Sequence, residues 1–226
     1  MTASNIHWEQ GPVIWNKSDY PPKKTLQPLK TPLKQLCAIL RGVFKALKIS
    51  LSQGGKRIMT TLQLAGVIRE SIVDGPGIRL VVFSQGCPHH CPGCHNPATH
   101  SPEGGYQSSV ENIIKAVRSN PMLAGVTLSG GEPFSQAEPM AELARQVHQC
   151  GRNVITYTGY TIEQILEGIS SHPGWKRLLE ETDTLIDGPF LLEEKTLTLK
   201  FRGSRNQRVI DPAASLREGR AVEKEF

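Results

Sequence analysis

Stretches with the apolar pattern of β-strands alternate with stretches whose apolar residues recur at helical spacing, and this alternation limits the possible folds of the 226-residue chain more than any other feature. Strands are predicted at residues 62–68, 78–83, 125–128, 153–157, 184–186 and 197–201, and helices at residues 109–118, 137–150, 161–169 and 175–181. Strands that alternate with helices form βαβ units around a parallel sheet. The predicted fold class is therefore α/β.

The ends of the predicted helices carry sequence signals of their own. Ser108 or Ser109 can cap the first helix, and Thr161 with Gln164 forms a capping box for the third. Gly151 is placed to end the second helix. Residues 212–226 are polar, and we expect them to form a loose tail.

Chemically distinctive residues come directly after several of the predicted strands. A cysteine-rich loop follows Phe83, Gly130-Gly131 comes shortly after Leu128, and Thr158-Gly159 follows Tyr157. In parallel α/β folds the carboxyl ends of the strands meet at one edge of the sheet, and ligands bind there. The sequence therefore predicts a functional site at that edge.

Residues 1–58 differ from the remainder in charge and pattern. They carry ten Lys or Arg against two Asp or Glu, whereas the remainder carries 16 against 19, so a nucleic-acid-binding face on the body is not expected. Residues 1–32 are predicted to be disordered. Residues 33–51 have the pattern of a basic amphipathic helix suited to a membrane surface or a partner, although an incidental helix is the simpler interpretation. A further hypothesis is that Met59 is the natural start and residues 1–58 are translated leader.

The location of the protein is predicted from what its sequence lacks. No apolar run is long enough to span a membrane, and residues 1–20 lack the pattern of a secretory signal. We therefore expect a cytoplasmic protein with neither a membrane nor a nucleic acid as partner.

Three of the five cysteines, Cys87, Cys91 and Cys94, fall within eight residues, whereas Cys37 and Cys150 are remote. In a reducing compartment such a cluster indicates a metal or iron–sulfur site rather than disulfides. A structural zinc ion would need a fourth ligand, which His89, His90, His95 or His100 could supply. A 4Fe-4S cluster, which normally uses four cysteines, would keep one iron without a protein ligand. Open coordination positions are typical of catalytic metals. Spacing alone leaves both possibilities open.

The C-x-x-x-C-x-x-C spacing resembles that of the radical S-adenosylmethionine superfamily, and further motifs narrow the likeness. These motifs are Asp74-Gly75-Pro76-Gly77-Ile78-Arg79, Gln85-Gly86-Cys87, Gly130-Gly131-Glu132-Pro133, Thr156 to Tyr160, Asp187 to Phe190 and Arg202 to Gln207. From about residue 62 to residue 211, the ordered set resembles the proteins that activate anaerobic ribonucleoside-triphosphate reductase. An aromatic residue often precedes the third cysteine in the superfamily. Here Pro92-Gly93 stands there, as in the reductase activators.

The resemblance implies a fold and a set of site residues. The fold would be an incomplete parallel (β/α) barrel, open on one side, formed by a radical S-adenosylmethionine domain at residues 59–211. The cluster ligands would be Cys87, Cys91 and Cys94. The cofactor-binding residues would be Gly93, Cys94, His95, Ser129, Gly130, Gly131 and Glu132, with the Glu132 carboxylate accepting hydrogen bonds from the methionyl ammonium. No catalytic residue beyond the cluster is predicted.

The resemblance also implies an activity, two cofactors and two partners. The cofactors would be one 4Fe-4S cluster and S-adenosylmethionine, whose reductive cleavage yields a radical that removes hydrogen from a glycine Cα of the reductase. The partners would be the glycyl-radical subunit of the reductase and a flavodoxin-like electron donor. An activase of another glycyl-radical enzyme, such as pyruvate formate-lyase, is the nearest alternative, and a non-catalytic zinc-binding module is the other.

Overall fold

The computed structural model describes residues 60–226, which form a seven-stranded sheet and five α-helices. The strands are β1 (Thr61–Ser71), β2 (Ile78–Ser84), β3 (Tyr106–Ser109), β4 (Leu123–Gly130), β5 (Asn153–Tyr157), β6 (Thr184–Asp187) and β7 (Arg208–Ile210). The α-helices are α1 (Val110–Ser119), α2 (Ala137–Gln149), α3 (Ile162–Gly168), α4 (Pro173–Glu180) and α5 (Pro212–Glu218). Short 3₁₀ turns occupy Pro97–Thr99, Pro133–Gln136 and Leu192–Glu194.

Some of the predictions concern residues that precede this part of the chain. The predicted disorder at residues 1–32, the predicted amphipathic helix at residues 33–51 and the hypothesis about Met59 all lie outside the described residues. Within residues 60–226, no helix is both long enough and apolar enough to cross a bilayer.

The sheet has the strand order β3-β1-β2-β4-β5-β6-β7. Its four central strands, β2, β4, β5 and β6, are parallel, which confirms the α/β prediction. The outer strands are antiparallel to their neighbours, so the sheet is mixed rather than wholly parallel. The link from β1 to β2 spans residues 72–77, which is too short for the crossover that a parallel pair requires.

The predicted helices form where their caps and apolar stripes placed them. The Ser109 hydroxyl accepts from the backbone N–H of Asn112, and both hydrogen bonds of the Thr161–Gln164 capping box are present. The stripe on α2 is buried against the sheet; it consists of Met140, Leu143, Ala144 and Val147. Burial of these side chains contributes about 1–3 kcal/mol each, so packing rather than local propensity holds α2 in place.

Two predictions about the last 30 residues were wrong. Residues 197–201 form turns rather than a strand, and Leu197 is 94% exposed, so their alternating pattern has no buried face to pack. Residues 212–226 are not a loose tail, because Asp211 caps α5, Gly219 ends it in the left-handed conformation, and Ala214 is buried. The compact unit accordingly continues to Phe226.

The two faces of the sheet differ in character. The five helices pack on one face, over Leu80, Val126, Leu128 and other buried strand residues. The other face carries a small apolar cluster and the fully buried side chain of Arg79. Asp74 to Gly77 come just before β2, at the end of that strand opposite the cysteine loop, and the Asp74 carbonyl accepts from the Thr127 hydroxyl beside Arg79. This motif therefore belongs to the base of the sheet rather than to the cysteine edge.

Candidate active site at the carboxyl edge of the sheet

The parallel register brings the ends of β2 and β4 together and joins the loops that follow them. Ser84 pairs with Gly130 at the end of the two strands. Beyond that pair, the backbone N–H of Gly131 donates to the Ser84 carbonyl at 2.8 Å, and the N–H of Glu132 donates to the Gly86 carbonyl at 2.8 Å. The cysteine loop and the Gly130-Gly131-Glu132 turn are therefore held side by side by main-chain hydrogen bonds, as the sequence predicted.

The two glycines are needed because this approach leaves no room for side chains. A Cβ at Gly131 would lie 2.4 Å from the Gly86 carbonyl oxygen, and one at Gly130 would lie 2.6 Å from the Phe83 Cα. Gly130 also has a φ of +95°, in the region that favours glycine. Within the protein, the glycines thus allow contact between strand ends. Their predicted contact with a cofactor remains a prediction.

The cysteine loop is anchored at both ends, and its thiols are free. The N–H of Gly86 donates to the Thr99 carbonyl at 2.9 Å, and the N–H of Cys87 donates to the His100 carbonyl at 3.1 Å. All three loop cysteines are free thiols and partly exposed. Burial raises the pKa of the Cys87 thiol above its ordinary value, and a hydrogen bond from the backbone N–H of His89 acts in the opposite direction.

The donor set fits an iron–sulfur cluster better than a closed zinc site. Zinc in a structural site needs a fourth protein ligand, and the histidines of this loop have other contacts. His89 bonds to Glu132, the His90 ring packs against the His100 ring, and the His95 ring packs against Phe190. Within the described residues, no group of three or more His, Cys, Asp or Glu side chains, the three loop thiols included, is already arranged as a metal site. The choice between zinc and a cluster therefore rests on the type and number of donors. Three thiols on one loop, with no fourth ligand among residues 60–226, are the set that a cluster with one open iron requires. Cys37 lies outside the described residues.

Cys150 does not extend this set. It follows the C-terminus of α2, which begins near the carboxyl edge of β4 and runs back towards the start of β5. Its side chain is partly buried and packs against the main core, as an ordinary structural thiol does.

The Glu132 carboxylate is fully buried and receives four donors. Its oxygens accept from the backbone N–H of Phe134 at 2.9 Å and of Gly159 at 2.9 Å, and from the Thr158 hydroxyl at 3.0 Å. The fourth partner is His89 Nε2, at 2.7 Å from Oε2. Glu132 therefore joins the loops after β2, β4 and β5. The predicted contact of its carboxylate with a methionyl ammonium stays a prediction.

Gly93 and His95 face the segment that follows β6. Leu192 lies against Gly93, where an added Cβ would come within 2.9 Å of its side chain, and the His95 and Phe190 ring centroids are 5.0 Å apart. Leu192 is 49% exposed beside the loop. The sequence marked Asp187 to Phe190 as a motif, whereas Leu192 lies between the predicted strands at residues 184–186 and 197–201 and belongs to no predicted element.

A second polar group, centred on Asp187 of the motif at residues 187–190, supports the carboxyl edge of the sheet. Asp187 is fully buried, pairs with Arg208 and accepts from the N–H of Ile162 at the start of α3. Arg208 also pairs with Glu163, and that hydrogen-bonded pair lowers the pKa of Glu163 to about 2. These residues fasten β6, β7 and α3 together and so fix the loop after β6.

A cavity of about 500 Å³ lies beside the cysteine loop. Its lining includes Gln63, Gln85, Cys87, His90, His100 and Gln136. Neither Cys91, Cys94 nor any residue of Ser129 to Glu132 lines it. The cavity therefore is not the place where the predicted cofactor-binding residues meet.

Comparison with known proteins agrees with this site. The profile of the 4Fe-4S single cluster domain family matches residues 73–210, which is more than half of the chain. The anaerobic ribonucleoside-triphosphate reductase-activating protein of Vibrio cholerae is 33% identical over 144 residues, covering 60% of this chain and 89% of that protein. The protein of the same description from Enterobacteria phage T4 is 34% identical over 146 residues, covering 61% of this chain and 86% of that protein. The pyruvate formate-lyase-activating enzyme of Clostridium pasteurianum is 34% identical over 121 residues, covering 51% of this chain and 47% of that protein. The chain therefore belongs to the 4Fe-4S single cluster domain family and, within it, to the anaerobic ribonucleoside-triphosphate reductase-activating proteins.

Proposed function

We propose that this chain activates anaerobic ribonucleoside-triphosphate reductase by generating a glycyl radical on it. The observation that carries the proposal is a loop of three free cysteines held against a Gly-Gly-Glu turn at the carboxyl edge of the sheet. This arrangement occurs in a chain that spans close to nine-tenths of the length of the reductase activators it matches.

Cys87, Cys91 and Cys94 would hold three irons of a 4Fe-4S cluster and leave the fourth iron to S-adenosylmethionine. When bound, the reduced cluster supplies the electron that splits the sulfonium into methionine and a carbon radical able to remove hydrogen from a glycine Cα. The chain's own residues hold the cysteine loop and the Gly-Gly-Glu turn in position. Main-chain bonds fix the cysteine loop against the turn, and Gly131 keeps that contact close.

The residues predicted to meet S-adenosylmethionine are Gly93, Cys94, His95, Ser129, Gly130, Gly131 and Glu132. Support for this set comes from their position. Gly93, Cys94 and His95 lie in the cysteine loop, and Ser129 to Glu132 lie at the end of β4 beside it.

The sheet is proposed to be the curved wall of an incomplete (β/α) barrel. Its central parallel strands and one-sided helical layer support this, and β3 and β7 are its edge strands. An open barrel would let a glycine loop of the large reductase subunit reach the cofactor. A flavodoxin-like protein would supply the electron, and free thiols suit a cytoplasmic location.

Activation of pyruvate formate-lyase is the second candidate, and coverage favours the reductase. The match to the pyruvate formate-lyase-activating enzyme spans under half of that protein, whereas the matches to the reductase activators span nearly all of theirs.

The test is an anaerobic activation assay read by paramagnetic resonance. The full chain, reconstituted with iron and sulfide, is mixed with S-adenosylmethionine, a one-electron reductant and either reductase or pyruvate formate-lyase. We expect a glycyl radical on the reductase that requires every component, is abolished by Cys91→Ala and persists in Cys150→Ala. A radical on the lyase alone would replace the proposal with the second candidate. A colourless protein holding zinc, with no radical on either enzyme, would make the site structural.

A further inference from the structure

The Glu132 carboxylate has no hydrogen-bonding capacity left for a ligand. A carboxylate offers about four lone-pair sites, and here four donors occupy it: two backbone N–H groups, one hydroxyl and one imidazole. Three of these donors belong to the loops after β4 and β5, and the fourth comes from the cysteine loop. Glu132 is 0% exposed, so solvent does not compete for it. The side chain is thus an internal junction among three loops.

His89 is the member of this junction that lies between the first two cysteines. A carboxylate accepts hydrogen bonds only, so the nitrogen 2.7 Å from Glu132 Oε2 carries the hydrogen, and His89 is assigned the Nε2–H form. Its side chain is 15% exposed, although its neighbours Pro88 and His90 are exposed. The His89 side chain therefore turns inward between two exposed neighbours.

The surroundings of His89 fix the orientation of its ring. The Tyr160 ring packs edge-on against it with centroids 4.4 Å apart. Gly159 leaves the space on another side, since a Cβ there would lie 2.4 Å from the His89 Cδ2. The ring is therefore enclosed by the loop after β5 and has one polar partner within it.

We propose that His89 is a positioning residue, whose bond to Glu132 latches the cysteine loop to the turn predicted to hold S-adenosylmethionine. On this inference the Glu132 side chain acts through His89, and this role replaces the contact with the methionyl ammonium that the resemblance implied for its carboxylate. The effect of this latch on cofactor binding rests on the proposed function. The latch fixes the distance between the cysteine thiols and the turn predicted to hold S-adenosylmethionine. Outer partners that orient ligand-bearing groups typically change affinity by about 10–100-fold when removed.

The test compares His89→Leu with His89→Gln, whose amide nitrogen can again donate to Glu132. His90→Asn is the matched control, because His90 also lies between Cys87 and Cys91, has no bond to Glu132 and has a φ of 47° that Asn tolerates. Two properties are measured on the full chain. The first is the affinity of the reconstituted protein for S-adenosylmethionine. The second is the rate at which iodoacetamide alkylates Cys87 in the metal-free protein, located by peptide mapping.

We expect His89→Leu to weaken cofactor binding by about 10–100-fold, with a circular dichroism spectrum like that of the parent. We expect it also to speed alkylation of Cys87 several-fold, by releasing the loop. His89→Gln should recover most of both properties, and His90→Asn should stay close to the parent in both. The latch would be overturned if His89→Leu kept the cofactor affinity and the Cys87 alkylation rate of the parent. It would also be overturned if His89→Gln changed both properties as much as His89→Leu does. If the parent chain binds no cluster, the proposed function fails, and the alkylation rates decide the latch by themselves.

Discussion

Arg79 provides a stability prediction that depends on no cofactor. Its side chain is 0% exposed, and burial lowers its pKa to about 10. The three shortest hydrogen bonds of the guanidinium go to neutral acceptors on neighbouring strands: the Thr127 hydroxyl at 2.7 Å, the Val126 carbonyl at 2.7 Å and the Asn153 side-chain oxygen at 2.8 Å. It therefore ties β2 to β4 and β5 beneath the site.

The cost of Arg79→Met follows from those bonds. Hydrogen bonds to a charged group contribute about 1.5–3 kcal/mol each, so three of them amount to roughly 5–9 kcal/mol before any offset. Methionine also removes the penalty of burying a cation, which is several kcal/mol. The balance is a loss of about 3 kcal/mol in the free energy of unfolding, or roughly 6–12 °C in Tm for a chain of this size. Arg79→Lys keeps the buried charge with fewer donors and should cost at least as much.

Urea unfolding of the metal-free protein, followed by far-ultraviolet circular dichroism, measures this loss. Arg145→Met is the matched control, because Arg145 pairs with Glu142 on the exposed side of α2 and should change stability by less than about 1 kcal/mol. An Arg79→Met variant as stable as the parent would refute the reasoning, since it would mean that the burial penalty cancels all three bonds.

Three further predictions concern the strand ends, the polar support and the cysteines. Gly131→Ala should lower stability by about 2–4 kcal/mol and impair iron loading, because its Cβ meets the Gly86 carbonyl; urea unfolding and an iron assay check this. The Arg208 pair lowers the folded pKa of Glu163 to about 2, so its stabilisation is complete above the ordinary carboxyl pKa of about 4.3 and is lost as pH falls through about 2. Glu163 is half exposed, so Glu163→Gln should lower the free energy of unfolding by no more than about 1 kcal/mol, and only at pH values where Glu163 is ionised. Urea unfolding midpoints of the parent and the variant from pH 6 to pH 2 measure this difference. Replacing any one loop cysteine by Ala should abolish cluster formation, whereas Cys150→Ala should leave iron content unchanged; equal iron loss in both would place the ligands elsewhere.

Local signals predicted the helices and central strands because each signal acts over a few residues. Ser109 caps α1, the Thr161–Gln164 box opens α3, and β5 has the bounds that its apolar run predicted. The errors fall where local pattern and tertiary context disagree. Residues 197–201 alternate like a strand, yet Leu197 is exposed and Phe201 has a φ of 57°, so no neighbouring strand pairs with them. The sequence did not predict the terminal helix α5, because its buried residues are small rather than strongly apolar.

The candidate site was predictable in its loops but not in its contacts. The positions of the cysteines and of Gly130-Gly131 after successive strands required only the topology of parallel sheets. The topology placed the loops after β2, β4 and β5 at one edge, but sequence spacing carries no information about which side chains make contact there, and so the burial of Glu132 among four donors was not predicted. The inward turn of His89 was hidden for the same reason, since one histidine among four in the loop region has no distinguishing pattern. Motif residues therefore showed where chemistry occurs, while the structure showed how the motif is supported.

Cys87, Cys91 and Cys94 are proposed to hold a cluster whose fourth iron accepts S-adenosylmethionine. The most direct measurement is the paramagnetic resonance spectrum of the anaerobically reconstituted and reduced protein, recorded with and without S-adenosylmethionine. We predict a reduced 4Fe-4S signal that changes when the cofactor is added, in a protein with four irons per chain. A colourless protein with one zinc ion, or a cluster signal that does not change when S-adenosylmethionine is added, would contradict an open iron site.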